Sequence, residues 1–391
     1  MAAPRPALGP LAEGEPGAGP LGFYVHVPFC AARCHYCSFN TAPLDRAALT
    51  RYLRALAREI DLLGQAPWAA RVRLGTIFLG GGTPSLLAPD DLAAILDRVR
   101  TRFAVAPGAE VTAECNPESV EVGALAAYRQ AGVTRISLGV QSLDDAVLER
   151  LGRLHTSGAA RQAFEAARAA GFANVSVDLM YGLPGLEGGA WEETLDRVLD
   201  WEPEHLSAYG LTLDEGSRWG CGGVAGLPSE DAVIAQYWAL ARAAAARGYE
   251  HYEISNYAQP GWRARHNLVY WRAAEYLATG PGGCGFVGNV RYANAKPVAR
   301  YCAALEDGRL PIDSFERLTP GQRLAERLVL GLRTSDGVPA AWLADRLALD
   351  PALARRRETW RAAGLLRETG DRVSLTERGF LLSDAIFADL V

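Results

Sequence analysis

The chain has 391 residues, 49% of them hydrophobic and 22% charged, with a formal net charge of −5. Such values describe an ordinary globular protein with room for one large core and a smaller second unit. The acid balance argues against a broad nucleic-acid footprint, and no apolar run approaches the roughly 20 residues that cross a bilayer.

Residues 1–21 are rich in Ala, Gly and Pro and carry one Arg against two Glu. They fit neither a secretory signal nor an Arg-rich presequence, so the reading is a disordered tail on a cytoplasmic protein. From residue 22 to about 250, β-rich runs alternate with helical stretches. Strands are expected at 23–27, 76–79, 110–113, 135–140, 175–179 and 205–209, with helices at 44–63, 89–102, 120–131, 159–170 and 190–201. Six β-then-α units in a row imply an α/β fold with a parallel sheet, read here as an incomplete (β/α)6 TIM-like barrel whose short strands are apolar on both faces.

Residues 251–315 form an aromatic-rich connecting region. Residues 316–391 read as three helices (320–331, 339–347, 351–363), a small hairpin around Gly370 and Asp371, and a closing helix. This resembles a winged-helix domain, but its one basic run, Arg355, Arg356 and Arg357, is thin for reading DNA, and a packing cap on the barrel is favoured.

Seven cysteines stand at 30, 34, 37, 115, 221, 284 and 302. An odd count with three crowded together is a poor disulfide framework. Cys30, Cys34 and Cys37 follow the first strand in a C-x-x-x-C-x-x-C spacing. A [4Fe–4S] cubane normally takes four thiolates, so three leave one iron open to chelate the amino and carboxylate groups of S-adenosylmethionine (SAM). One electron from such a cluster cleaves the sulfonium C–S bond to give a 5′-deoxyadenosyl radical. A zinc site would need a second Cys pair or spaced histidines, and neither is present. The other four cysteines read as small apolar fillers.

Chemistry in parallel barrels gathers at the C-terminal strand ends. Gly80-Gly81-Gly82-Thr83-Pro84 follows the second strand, where bare backbone can approach a ligand: its N–H groups can bond a carboxylate and its carbonyls an amine. Glu114 and Asn116 end the third strand, Gln141 the fourth and Asp178 the fifth, with Tyr209 and Thr212 near the sixth. Glu114 and Asp178 are acceptors suited to ribose hydroxyls or an amine, and Arg153 suits a carboxylate.

With those residues in hand, the chain resembles the coproporphyrinogen-oxidase-like branch of radical SAM proteins, the HemN/HemW family. The motifs that carry the resemblance lie at 24–37, 80–84, 114–117, 139–143, 178–184 and 252–258, and in His266-Asn267…Tyr270-Trp271. The resemblance implies that Tyr24 packs on SAM, that Tyr36 lies beside the cluster, and that Gly81, Gly82 and Thr83 meet the methionine end. It also implies SAM contacts for Glu114, Gln141, Arg153, Asp178 and Thr212. The oxidase type carries a fourth cysteine two residues past the triad, where this chain has Phe39, and a structured N-terminal arm, where this chain offers only its short tail. The stretch from Leu151 to His155 and the His-Asn-x-x-Tyr-Trp motif side with HemW. The resemblance therefore implies a heme chaperone that binds heme and passes it to hemoprotein clients, with any membrane contact made through a client. Oxygen-independent coproporphyrinogen III oxidase, or a radical SAM enzyme on another substrate, are the alternatives. The family's usual Ala-His-Gly is replaced by Gly283-Cys284-Gly285, which puts the histidine's role in doubt. For heme, His266 in its aromatic segment is the candidate axial ligand, against a buried structural histidine. His251 and Cys284 are weaker candidates, and His26 and His35 read as packing beside the cluster loop.

Overall fold

The computed structural model describes residues 8–348 and 350–390. Six strands, β1 (Leu21–Val27), β2 (Arg73–Gly81), β3 (Ala104–Cys115), β4 (Arg135–Gln141), β5 (Val175–Tyr181) and β6 (His205–Gly210), pair in parallel in that order. Helices Arg46–Leu63, Pro89–Arg102, Val122–Gln130, Ser157–Ala169 and Gly188–Leu199 fill the crossovers. Asp45 caps the first of them by accepting from the Ala48 N–H, satisfying one of the orphan donors of a helix start.

The strands are buried on both faces, but the expectation that both are apolar is wrong. On β4, Ile136, Leu138 and Val140 are in the core, while Ser137, Gly139 and Gln141 face a central cavity. On β5, Val177 and Leu179 alternate with Asp178 and Met180 in the same way. The period-2 pattern thus divides each strand into a helix-facing apolar side and a polar interior. Each fully buried Val or Leu on the outer side contributes about 1.5–3 kcal/mol. The polar inner side yields part of that stability to make room for a ligand.

The sheet is also wider than six strands. Beyond β6, β7 (Glu250–Glu253) and β8 (Asn256–Ala258) add antiparallel pairs. At the other edge, β9 (Tyr276–Thr279) lies parallel to β1 and is continued by an antiparallel meander of β10 (Cys284–Val287), β11 (Val290–Asn294) and β12 (Ile312–Arg317). The result is one open twelve-stranded sheet ending in β12 and β7. Seven of its strands are parallel, and the aromatic-rich region supplies six of the twelve.

Helices Pro320–Leu332, Ala340–Ala348 and Pro351–Ala362 surround a three-stranded sheet, β13 (Val338–Pro339), β14 (Leu366–Thr369) and β15 (Arg372–Leu375), with β15 in the middle. Thr319 and Gln322 form a capping box at the first helix. This winged-helix-like unit has its own core, including Leu328, Trp360 and Phe387. It docks on the barrel through the Tyr237 hydroxyl, which donates to the Glu377 carbonyl at 2.9 Å, and through the His251–Glu377 pair. Arg356 and Arg357 are paired with Asp389 and Glu368, which takes two of the three arginines of the basic run out of play.

The disordered-tail reading fails for the residues described. Residues 1–7 lie outside them, but Gly9–Glu13 form a 3-10 helix whose Leu11 is fully buried, and the Trp68 indole donates to the Leu11 carbonyl at 2.8 Å. Gly and Pro richness signalled irregular backbone, while Leu8 and Leu11 were the anchors hidden in it.

Candidate functional site

The cysteine loop leaves β1 at Val27 and is pinned at its base, where Phe29–Cys30 pairs with Ala42–Pro43. Its tip is clamped from both sides. The His35 N–H donates to the Leu151 carbonyl at 3.0 Å, and the His35 ring bridges the Arg150 carbonyl and the Arg218 guanidinium, each at 2.9 Å. Arg33 donates to the Gly216 carbonyl at 2.8 Å and Ser38 to Asp214 at 2.7 Å.

All three thiols border a cavity of about 330 Å³ at the C-terminal ends of the strands. The same cavity is lined by Tyr36, Gly81, Gly82, Thr83, Glu114, Gln141, Arg153, Asp178 and Thr212. Every residue the sequence assigned to cluster or SAM is therefore on one wall set, except Tyr24. That side chain lies on the inner side of β1, opposite the core residues Phe23 and Val25, with its hydroxyl 3.0 Å from His26 Nδ1 and its ring stacked on Phe78. Its hydroxyl also supports the His26 ring.

The thiols fit an iron–sulfur cluster electrostatically. Burial pushes the Cys30 and Cys37 thiols up, and the neighbouring thiolates push them further. Three thiolates in one half-buried loop need a polycation to stay ionised, and ligation to iron supplies it. The protein adds small contributions: Thr83 Oγ1 donates to Cys30 Sγ and Arg153 to Cys34 Sγ, both at 3.5 Å. Among the described residues no three His, Cys, Asp or Glu side chains converge on a single ion position. A cubane takes each thiolate on a different iron.

The glycine turn is more selective than its sequence suggested. The Gly81 N–H donates to Glu114 Oε2 at 3.0 Å, the Gly82 N–H to the Val27 carbonyl at 2.7 Å and the Thr83 N–H to the Phe29 carbonyl at 2.8 Å. These three donors are spent inside the fold, so the turn is an acceptor surface, suited to an ammonium rather than a carboxylate. Gly81 also needs to be glycine: its φ is +110°, and a Cβ there would sit 2.5 Å from the His26 ring.

Two buried carboxylates complete the floor. Burial, and then the nearby Asp178, raise Glu114 to about 7. Asp178 is likewise raised by burial, although Ser137 donates to it at 3.0 Å. Neither has a salt-bridge partner among the described residues. A cationic or hydroxyl-rich ligand would relieve that penalty. Arg153, expected to meet a carboxylate, instead holds the Asn116 side chain at 2.8 Å and the Gly139 carbonyl at 2.7 Å, while its Nε has no partner. Gln141 takes a φ of 67°, a left-handed conformation rare outside glycine and typical of functional strand ends.

His266 does not present itself as a heme ligand. It is buried, its Nδ1 is 2.7 Å from the Thr76 hydroxyl and its Nε2 2.8 Å from the Tyr270 hydroxyl, and burial lowers it to about 3. Both nitrogens are committed, the outcome of a structural histidine. His251 is held between Glu377 and the Ile254 carbonyl. Cys115 and Cys302 are buried fillers as expected, but Cys221 and Cys284 are exposed. Sequence reasoning missed Ser137, Met180 and Asp214 in the cavity lining. Ser137 and Met180 were within reach of the period-2 rule from Gln141 and Asp178, whereas nothing local in the sequence marks the fold-back of Asp214.

The profile of the Radical SAM superfamily matches residues 24–198, and that of the HemN C-terminal domain residues 318–382. A Mycobacterium tuberculosis protein named heme chaperone HemW is 39% identical over 99% of this chain and 97% of its own. Proteins of the same name from Bacillus subtilis and Escherichia coli are each 32% identical, over 93% and 94% of this chain and 97% of theirs. The structure of coproporphyrinogen III oxidase (HemN) from Escherichia coli, a radical SAM enzyme, superposes with a TM-score of 0.84 over 97% of this chain and 92% of the oxidase, at 24% identity. That likeness establishes the fold.

Proposed function

The chain belongs to the HemW family of radical SAM proteins, and from that premise we propose that it is a heme chaperone, binding heme and handing it to hemoproteins. The end-to-end identity with relatives of that name carries the reading. Phe39 supports it: the side chain stands 63% exposed at the cavity mouth, where the oxidase type carries a further cysteine.

Within this reading Cys30, Cys34 and Cys37 hold the [4Fe–4S] cluster. The carbonyls of the glycine turn and Glu114 receive the SAM ammonium, and Asp178, Gln141 and Thr212 receive the nucleoside. Bound there, cluster and SAM supply one-electron chemistry at the sulfonium. The chain's own part is to orient SAM, to hold the loop through His35 and Arg33, and to place the Arg153 charge beside Cys34. No helix among the described residues is long and apolar enough to cross a membrane. We place the protein in the cytoplasm, where unpaired thiols persist.

The test is a pair of assays on one anaerobically reconstituted sample. A stable Soret shift on adding hemin, with no conversion of coproporphyrinogen III in the presence of SAM and reductant, is the expected result. Vinyl-bearing product would overturn the chaperone reading in favour of the oxidase.

A further inference from the structure

With His266 committed to Thr76 and Tyr270, heme needs another seat. A second cavity, of about 200 Å³, lies at the open edge of the barrel between β9–β11 and the helix Pro320–Leu332. Its sheet wall is aromatic. Tyr276 and Phe286 are directly paired across β9 and β10, so their rings share one face, and Arg291 lies opposite Phe286 on the next strand. Its helix wall carries Arg323 and Arg327, four residues apart and therefore on one helix face. The Arg323 guanidinium lies 4.9 Å over the Phe286 ring.

The charges are unbalanced. Arg291 is matched by Glu316 and Glu326, the latter also in the cavity lining. Arg323 and Arg327 have no carboxylate within salt-bridge distance among the described residues. Arg323 donates only to the Gly288 carbonyl, and Arg327 lies 5.6 Å over the Trp342 ring. Both arginines, with Ala273 and Ala274, also line an adjoining open hollow of about 710 Å³. The two spaces adjoin at these residues, and the far side of the hollow carries Glu13, Glu15 and Glu275, so anionic groups are drawn to the arginine side.

Flat aromatic walls beside two unneutralised guanidiniums suit a planar aromatic ligand with two carboxylates, since guanidinium forks match carboxylates and stack on π faces. We propose that this cavity is the heme seat, with Tyr276 and Phe286 against the macrocycle and Arg323 and Arg327 on its propionates. The inference rests on the chaperone reading above. It places heme beside the junction of barrel and C-terminal unit, apart from the cysteine-lined cavity.

The experiment titrates full-length, cluster-loaded protein with hemin, with hemin dimethyl ester, which lacks the free carboxylates, and with metal-free protoporphyrin. Arg323→Gln/Arg327→Gln should weaken hemin binding at least about tenfold, the scale expected for losing charge-assisted contacts. The ester should bind the parent and the double variant alike, and protoporphyrin should follow hemin in its loss. Unchanged iron content and circular dichroism show that the variant is folded. If the parent binds hemin and the folded double variant binds it equally well, the seat is elsewhere and the chaperone reading stands. If the parent binds no hemin, both fall. Should the double variant lose its fold, Arg327→Glu alone carries the same test: weakened hemin binding supports the seat, and unchanged binding overturns it.

Discussion

Glu114 Oε2 accepts the Gly81 N–H at 3.0 Å, tying the end of β3 to the glycine turn after β2. The bond orients a carboxylate that burial and Asp178 hold at about 7 against the opposing pull of the Arg135 charge, with no cation in salt-bridge range among the described residues. The site thus carries an acceptor whose charged form burial disfavours and a positive ligand favours.

A pH dependence of SAM binding follows. The ammonium of SAM favours ionised Glu114, so affinity should rise as pH increases through about 7 and fall below it. Glu114→Gln should flatten that profile and weaken binding about tenfold or more, on the scale of one charge-assisted hydrogen bond. Calorimetry of cluster-loaded protein on either side of pH 7 reads both effects. A parent whose affinity is the same at both would remove Glu114 from the SAM contacts.

Replacing Cys30, Cys34 or Cys37 by Ser should abolish stable cluster binding, because each thiolate serves a different iron. Cys221→Ser and Cys284→Ser should leave iron and sulfide content unchanged, since both thiols are exposed and outside the lining of the cysteine cavity. Iron and sulfide analysis under anaerobic conditions decides the matter. A full cluster in any variant of the triad would end the radical SAM assignment.

The parallel strands could be read in the sequence because runs such as Val175-Ser-Val-Asp-Leu-Met carry both β-branched residues and flanking turn signals. The seventh parallel strand could not. Tyr276–Thr279 is four residues long, sits among aromatics and gains strand geometry from pairing with Gly22–Val25, some 250 residues away in sequence. The cluster thiols, Glu114 and Gln141 were legible because they sit at or just past a strand's end, whereas Asp178 lies midway along β5 on its inner face. His266 misled because a ring next to a motif looks the same whether it faces a ligand or the wall behind it. Only its Thr76 and Tyr270 partners distinguish the two. Arg323 and Arg327 carried no local signal, as their meaning comes from a sheet packed against their helix.

Gly81→Ala should be costly. The backbone holds φ at +110°, and the added methyl would meet a His26 ring fixed by the Tyr24 hydroxyl at 3.0 Å and the Asn40 carbonyl at 2.9 Å. Backbone strain and displacement of that ring together should cost about 2 kcal/mol or more, read as a lowered thermal midpoint. The shift of the turn should also weaken SAM binding. Wild-type stability in this variant would show that the turn relaxes freely and that its contacts with the cluster loop are not rigid.

Glu59, outside the lining of the cysteine cavity, supplies a stability test. Its carboxyl is fully enclosed and accepts from the Tyr301 hydroxyl at 2.6 Å, the Gly280 N–H at 2.8 Å and the Asn294 amide at 2.6 Å. Burial nevertheless raises it from 4.5 to about 7. Between those values the native state keeps a proton that the unfolded chain releases, so this group makes stability fall as pH rises through the window. Integrated from about pH 5 to about pH 8, the loss is about 2 to 3 kcal/mol. In Glu59→Gln that component of the slope should vanish. The variant should be the less stable of the two at the acid end, because its NH2 faces the Asn294 amide donor, and should close the gap as pH rises. Denaturant melts at both ends measure it, and parallel pH profiles for parent and variant would show that Glu59 is ionised throughout.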